Sequence, residues 1–279
     1  MTETRPLPTG PSEVHDGEIL ARGVPIGQLI GVISFIDMLF FQAQARYPSE
    51  AEARMMDAYL VSLCEHGVTS PSTHGARVAA SVRVPFAACA VNFLTAAMGI
   101  YHFGALENAM LQTRLIEAEE HDISAFVDRK IERRERLWGY GHRFHKTTED
   151  RDLDDRELLA LQECSDPRVR RLVALADELA WEGRYLKIVR AVGHTLFERK
   201  QIPINIDGCA AGLLLDMGFD PSIAMLFVAL GRLPNIARLY TEEQSEAPNR
   251  FVALADRTDP HFNRTVDREQ TAKPPAHDL

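Results

Sequence analysis

Cysteines are few and basic residues are outnumbered in this sequence. Its four cysteines, Cys64, Cys89, Cys164 and Cys209, show no paired spacing and have no histidine cluster beside them. This argues against a disulfide framework or a cysteine zinc site, and it predicts reduced thiols, as is typical of a cytoplasmic protein. With 31 Lys and Arg against 40 Asp and Glu, the net charge is -9, so no nucleic-acid partner is expected.

Strand-like alternation of apolar and polar residues is also scarce. It is confined to residues 13–24, where Asp16-Gly17 predicts the turn of a short β-hairpin. Helical periodicity dominates the rest, so the chain is predicted to be all-α, with 279 residues that suffice for one large domain or two unequal lobes. The polar, Pro-rich residues 1–11 are expected to be a mobile leader rather than a signal peptide.

Charge is missing altogether from Val84 to Leu106. That length could span a bilayer, but the stretch is rich in Ala and Gly, carries Asn92 and His102, and has no companion segment. We interpret it as a central buried helix at a subunit interface, with membrane insertion as the weaker alternative. Further helices are predicted at residues 28–46, 73–82, 104–131, 155–164, 167–198, 209–217, 221–231 and 234–243.

One carboxylate stands out in the stretch Pro203-Ile204-Asn205-Ile206-Asp207-Gly208. Pro203 fixes the backbone and Gly208 lets it turn into an apolar helix, which places Asp207 at the mouth of that helix. A partly desolvated Asp can act as a base there. The simpler interpretation is an ordinary helix N-cap.

Three histidines are further candidates, each with a structural alternative. His66 lies in a polar turn and can equally be a solvated loop residue. His102 is predicted to end the uncharged helix and can be a satisfied core histidine. His142 follows Gly139-Tyr140-Gly141, where the backbone can approach a ligand closely, although no strand precedes this Gly-x-Gly and a dinucleotide site is not indicated.

Taken together and in order, these residues resemble the citrate synthase family. The matching blocks are Glu65-His66-Gly67 with Ser72-Thr73, Gly99 to Ala105, Gly139 to Arg143 with Lys146 and Arg151, Ile206-Asp207-Gly208, and Ala229 to Arg232. The chain is shorter than a typical member and resembles the citryl-CoA lyase branch, which is also the carboxy-terminal module of ATP-citrate lyase.

The resemblance implies a two-lobed, citrate synthase-like helical fold in a homodimer. Its large lobe would comprise residues 1–111 and 216–279, and its small, CoA-binding lobe residues 112–215. The implied small-molecule partners are coenzyme A, as an acyl-CoA, and a 2-oxo acid, without a metal, a nucleic acid or a membrane.

The resemblance also implies roles for individual residues. Asp207 would exchange a proton with the methyl carbon of an acetyl thioester, while His102 donates a hydrogen bond to the thioester oxygen and His142 contacts the keto or hydroxyl oxygen. The implied carboxylate-binding residues are His66, Arg151 and Arg232. The implied coenzyme A-binding residues are Gly139, Tyr140, Gly141, Arg143 and Lys146.

The leading functional hypothesis is reversible Claisen cleavage of citryl-CoA, or a related 3-hydroxy-3-carboxyacyl-CoA, to acetyl-CoA and a 2-oxo acid. Synthesis of citrate or 2-methylcitrate and a non-catalytic CoA-binding role are the alternatives. Phe103 and Leu106 replace the Gly and Asn of the family beside His102, which predicts an altered acyl pocket. An Arg-Pro-Arg near the C-terminus has no clear counterpart, although Arg250 or Arg257 could substitute.

Overall fold

A computed structural model describes residues 13–15, 17–67, 70–119, 122–142 and 166–246 of the protein. The helix predicted at 155–164 and the leader predicted at 1–11 lie outside these ranges. So does Cys164; the other three cysteines are not in disulfides, with Cys89 and Cys209 buried and Cys64 part-buried.

Helices dominate the described residues, which confirms the all-α prediction. They are α1 Phe35–Gln44, α2 Glu50–Leu63, α3 Pro71–Ser81, α4 Phe86–Ala97, α5 Gly104–Glu119, α6 Ile123–Glu132, α7 Pro167–Glu178, α8 Arg184–Lys200, α9 Ile206–Asp216 and α10 Ala224–Ser245. Two 3-10 helices, Ile26–Gln28 and Pro221–Ile223, precede α1 and α10.

The predicted N-terminal hairpin is present as part of a small antiparallel sheet. Strands β1 Glu13–His15, β2 Glu18–Ala21 and β3 Val24–Pro25 follow in that order. Gly17 adopts a φ of +83°, as expected for a tight hairpin turn. The third strand was not predicted, because two residues carry no periodicity.

Polar caps set several helix starts. Ser34 and Asp37 form a reciprocal capping box at α1, and Ser49 and Glu52 form a second one at α2. The helix predicted over 28–46 is therefore wrong in its first half, since the Ser34 cap starts α1 late and turns occupy the residues between the 3-10 helix and Ser34.

The described chain divides into two compact units. Residues up to Leu63 and Ile100–Gly231 form the first unit, and Cys64–Gly99 with the residues from Arg232 onward form the second. This division concerns contacts within the chain and does not test the two lobes predicted above, whose boundaries remain a prediction.

Helix α9 lies at the centre of the first unit and packs against α5, α7 and α8. Nine of its residues are buried, and these are Ile206 and the eight consecutive residues from Gly208 to Leu215, with only Asp207 interrupting them. Gly212 lets α8 approach, because a Cβ at this position would lie 2.8 Å from the Cα of Leu186. Burying this apolar surface is the main source of stability in the unit.

A remote carboxylate explains why the predicted helix 167–198 is two helices. Asp216, at the end of α9, accepts hydrogen bonds from the backbone N–H groups of Tyr185 (2.8 Å) and Leu186 (3.1 Å). It also accepts one from Trp181 Nε1 at 3.1 Å. These bonds satisfy the first N–H groups of α8, so α8 starts anew after Gly183.

The second unit contains α3, α4 and the later turns of α10. Arg77 on α3 and Glu243 on α10 form a buried ion pair of 2.6 Å. Arg83 donates to the backbone carbonyls of Glu243 (2.7 Å) and Glu246, which supplies partners for the exposed carbonyl end of α10.

Two predictions about apolar helices are wrong. The uncharged stretch is not one central helix, since α4 ends at Ala97 and a turn precedes α5; the buried centre is α9. The helices predicted on either side of Arg232 are one helix that tolerates Pro234. By length and composition alone, Pro221–Ser245 could cross a membrane, but core helices pass the same test and 44% of its most apolar window is buried.

Replacing Gly212 with Ala tests the close approach of α8 and α9. The added methyl must displace the backbone at Leu186, and such overpacking costs about 1–3 kcal/mol, against a gain of up to about 1 kcal/mol in helix propensity. We expect a net loss in the free energy of unfolding in urea. Gly27→Ala is the control, because a Cβ there meets nothing within 4 Å; equal effects of the two changes would contradict this packing.

Candidate active site

Asn205, not Asp207, caps the central helix. Its side-chain Oδ1 accepts hydrogen bonds from the backbone N–H groups of Asp207 (3.0 Å) and Gly208 (3.1 Å). The interpretation of Asp207 as the N-cap is therefore wrong, and its carboxylate is not used in capping. Asp207 lies in the first turn of α9, where the positive end of the helix dipole favours an anion.

The same asparagine joins the glycine loop, Gly139–Gly141, to the start of α9. Asn205 Nδ2 donates to the Gly141 carbonyl (2.9 Å), and Asn205 N donates to the Gly139 carbonyl (3.0 Å). Gly141 N donates in turn to the Pro203 carbonyl at 2.8 Å. The glycine loop and Asp207 are thereby brought together from positions 60 to 70 residues apart in sequence.

Only glycine fits at this junction. Gly139 has a φ of +88°, and a Cβ there would lie 2.5 Å from the Cα of Gly208. A Cβ on Gly208 would meet the Gly139 carbonyl oxygen in turn. His142, the next residue after the glycine loop, is thus carried to the end of α9 that holds Asp207.

Tyr140 is turned into the core. Its hydroxyl donates to the Val189 carbonyl of α8 at 3.1 Å, and burial raises the pKa of this phenol well above its ordinary value. Tyr140 also forms an isolated antiparallel bridge with Ile204. Of the predicted coenzyme A contacts in the glycine loop, this residue can therefore offer its backbone rather than its ring.

His102 lies in the turn between α4 and α5, not at a helix end as predicted. Its carbonyl accepts from Ala105 N at 3.0 Å and so helps to start α5. The preceding residue, Tyr101, stacks on Trp138 with ring centroids 5.9 Å apart. Gln112 holds Trp138 in place through both backbone groups, at 3.0 and 3.1 Å. The His102 turn is therefore fixed beside the glycine loop.

Phe103 and Leu106, which depart from the family pattern, are both buried. The Phe103 ring lies 5.0 Å from the His102 imidazole, tilted by 58°. Phe103 therefore packs against one side of His102. The predicted effect on the acyl pocket remains a prediction.

The environment of Asp207 makes it a proton-exchanging group near neutrality. Burial raises the pKa of its carboxyl from 3.8 to about 6. The positive charge of Arg168 opposes this rise, the negative charge of Asp166 adds to it, and Arg136 opposes it more weakly. A carboxyl with such a pKa can both accept and donate a proton at physiological pH.

Arg168 is a candidate site residue that the sequence analysis missed. Asp166 is fully buried and caps α7, and Arg168 pairs with it through Nε (3.0 Å) and Nη2 (2.6 Å). This holds the guanidinium where it influences Asp207. The order Asp166-Pro167-Arg168 was available as a signal, but the family spacing after His142 had pointed to Arg151. Three predicted residues, Arg143, Lys146 and Arg151, lie outside the described residues.

In the second unit, hydrogen bonds join α10, which carries Arg232, to the segment that carries His66. Arg232 on α10 is buried, donates to Thr73 Oγ1 (2.9 Å) and Ser70 Oγ (3.4 Å), and lies over the Phe93 ring. Beside His66, Glu65 Oε2 accepts from Asn235 (3.0 Å) and Arg238 (2.7 Å) of α10.

No three His, Cys, Asp or Glu side chains within the described ranges are grouped so as to hold a metal ion. That the reaction needs no metal remains a prediction.

Asp207→Asn tests the raised pKa without any assay of activity. Because the folded pKa lies above the ordinary one, the wild type loses stability as pH rises from about 4 to about 6, by up to about 3 kcal/mol. Asn does not titrate, so the variant should gain on the wild type across that window in urea unfolding. Asp57→Asn, at an exposed position on α2, is the control; a pH-independent difference for Asp207→Asn would contradict the shift.

Solved structures share the fold. Citryl-CoA lyase from Hydrogenobacter thermophilus matches with a TM-score of 0.73 and 28% identity, over 98% of this chain and 97% of that chain. ATP citrate lyase from Methanothrix soehngenii, in complex with citrate and coenzyme A, matches with a TM-score of 0.70 and 17% identity, over 98% of this chain and 44% of that one. The second likeness concerns the fold alone.

Comparison of sequences finds relatives among the citrate synthases. Citrate synthase from Saccharolobus solfataricus is 28% identical over 214 residues, which cover 76% of this chain and 54% of that enzyme. This chain thus spans about half the length of that curated relative. The family described as citrate synthase, C-terminal domain, matches residues 28–252. The chain belongs to the citrate synthase family, as its motifs predicted.

Proposed function

We propose that the protein cleaves citryl-CoA, or a related 3-hydroxy-3-carboxyacyl-CoA, to acetyl-CoA and oxaloacetate or another 2-oxo acid. The observation that carries this is the nearly complete mutual coverage with a citryl-CoA lyase, at 98% of this chain and 97% of that one. Citrate synthase from Saccharolobus solfataricus is matched over only 54% of its length.

In this reaction the hydroxyl of the substrate loses its proton to His142, and its oxygen becomes the keto oxygen of the 2-oxo acid. The carbon–carbon bond breaks, and its electron pair passes to the carbon next to the thioester. His102 donates a hydrogen bond to the thioester oxygen, which carries the enolate charge. Asp207 then gives its proton to that carbon, and acetyl-CoA forms.

The pKa of Asp207 fits this role. Cleavage consumes the protonated carboxyl, which predominates below a pKa of about 6, and condensation consumes the carboxylate, which predominates above it. Cleavage should therefore slow as pH rises above about 6 when the proton transfer limits the rate.

Arg168 is placed in the first unit where it can bind a carboxylate of the substrate. Its pairing with Asp166 fixes the guanidinium near Asp207, and arginine is suited to carboxylate binding. We assign it a carboxylate-binding role, which the sequence analysis gave to Arg151. His66 and Arg232, which belong to the second unit, keep the carboxylate-binding roles that the family resemblance implies. The backbone of the glycine loop and Arg143 with Lys146 remain the candidates for coenzyme A.

Synthesis of citrate is the second candidate, because of the similarity to citrate synthase from Saccharolobus solfataricus. It requires the same condensation followed by hydrolysis of the thioester. A purely coenzyme A-binding role is less well supported, since a binder gains nothing from a carboxyl whose pKa is raised to about 6 and whose ionised form is destabilising.

The first test follows purified protein with citryl-CoA, with oxaloacetate measured through malate dehydrogenase and free thiol measured in parallel. We expect oxaloacetate release without matching thiol release. Asp207→Ala should lower the rate by about 10²–10⁴, the usual contribution of a positioned acid or base. Asp57→Ala is the control.

Steady thiol release from acetyl-CoA and oxaloacetate would instead identify a synthase. Coenzyme A binding with neither reaction, and no proton exchange from acetyl-CoA, would identify a binder. A cleavage rate that rises above pH 6 would contradict the role of Asp207 as the acid.

The homodimer expected from the family is a further part of the proposal. In the second unit, α4 and its flanks leave a set of large apolar side chains exposed, and these are Val78, Val82, Phe86, Val91 and Met98. Exposed apolar surface of this kind is typical of a protein interface. We assign it to contact with a second copy, which agrees with the predicted interface role of the uncharged stretch.

Val91→Asp should shift the chain from dimer to monomer in sedimentation equilibrium, because it buries a charge at that contact. Val61→Asp is a matched control, since both valines are 62% exposed and Val61 lies on α2, in the first unit. A wild-type chain that is monomeric, or a Val91→Asp variant that still dimerises with wild-type affinity, would contradict the assignment.

A further inference from the structure

Tyr59 on α2 is a buried phenol that the mechanism above does not use. It is 1% exposed. Its backbone carbonyl accepts from Ser62 Oγ at 2.6 Å, but within the described residues its hydroxyl forms no hydrogen bond. Two other tyrosines differ, since Tyr140 donates to the Val189 carbonyl and Tyr240 to the Val84 carbonyl.

The surroundings of Tyr59 belong to the candidate site. Helix α2 packs against α7, which begins after Asp166, and α9 packs against α7 as well. Burial raises the pKa of the Tyr59 phenol, the charges of Asp207 and Cys209 raise it further, and Arg168 opposes them. Groups from three helices therefore meet around this hydroxyl, with no hydrogen bond joining it to Asp207.

The chemistry of the hydroxyl points to an anionic ligand. A phenol whose pKa is raised stays protonated at working pH, so it can donate a hydrogen bond to an anion. Because no protein acceptor binds this hydroxyl within the described residues, only water or a ligand can accept its hydrogen bond, and Phe would fill the same position without that requirement. A bound carboxylate would supply the acceptor, and Arg168 beside it supplies the countercharge.

We propose that Tyr59 is a further substrate-binding residue, whose hydroxyl donates to a carboxylate of the 2-oxo acid, and to the same carboxylate in the thioester substrate, beside Arg168. This rests on the proposed function, which supplies the 2-oxo acid. It adds a neutral donor on α2 to a site otherwise built from α7, α9 and the turn carrying His102.

Tyr59→Phe removes one oxygen and tests this directly. We expect the Kd for oxaloacetate, measured by calorimetry, and the KM for citryl-CoA to rise about 10-fold or more, as for a lost hydrogen bond to a charged group. The Kd for coenzyme A should not change, and the thermal midpoint should stay equal or rise. Tyr240→Phe is the matched control; it removes a hydroxyl that has a protein partner, so it should lower the midpoint and leave both constants unchanged.

An unchanged Kd for oxaloacetate in Tyr59→Phe would overturn the proposal. So would a lowered thermal midpoint with a proportional loss of binding for both ligands, because that identifies a structural role. If the wild type shows no cleavage, the proposed function fails, but the calorimetric comparison with oxaloacetate still decides the role of Tyr59. A wild type that binds no oxaloacetate would overturn the proposal as well.

Discussion

The hydrogen bonds of Asn205 hold the candidate site together. One end of its side chain caps α9 and the other holds the Gly141 carbonyl, while its backbone N–H holds the Gly139 carbonyl. A single side chain therefore satisfies the start of the central helix and fixes the glycine loop against it. Because the amide does the capping, the Asp207 carboxylate two residues later is left available for chemistry.

The glycines make this arrangement sterically feasible. Gly139 and Gly208 face each other so closely that neither has room for a Cβ, and Gly212 plays the same part between α8 and α9. Asp207 lies beside this glycine contact at the start of α9, and burial there raises the pKa of its carboxyl. Backbone packing and acid–base chemistry thus depend on the same few residues.

Motifs predicted from the sequence were more dependable than helix boundaries. The all-α class and the hairpin followed from local periodicity, and the family followed from ordered blocks around residues such as His66 and Asp207. The identity of the central helix did not follow, because an apolar composition does not distinguish α4, which is partly exposed, from α9, which is mostly buried. Likewise, the break at Gly183 depends on Asp216, a partner distant in sequence.

Arg168 and Tyr59 escaped notice for a related reason. Spacing along the chain favoured Arg151, and nothing in the local sequence distinguishes Tyr59 from any apolar residue on the inner side of α2. Their relevance appears only when α2, α7 and α9 pack together and place ionisable groups around Asp207.

That packing has a consequence for the direction of the reaction. A carboxyl with a pKa of about 6 is divided between acid and base near neutral pH, so the protein alone does not commit Asp207 to either. By microscopic reversibility, the group that protonates the enolate in cleavage removes the proton in condensation. The direction must then follow from the concentration of citryl-CoA relative to those of acetyl-CoA and the 2-oxo acid. It also depends on whether citryl-CoA is hydrolysed before it leaves the site.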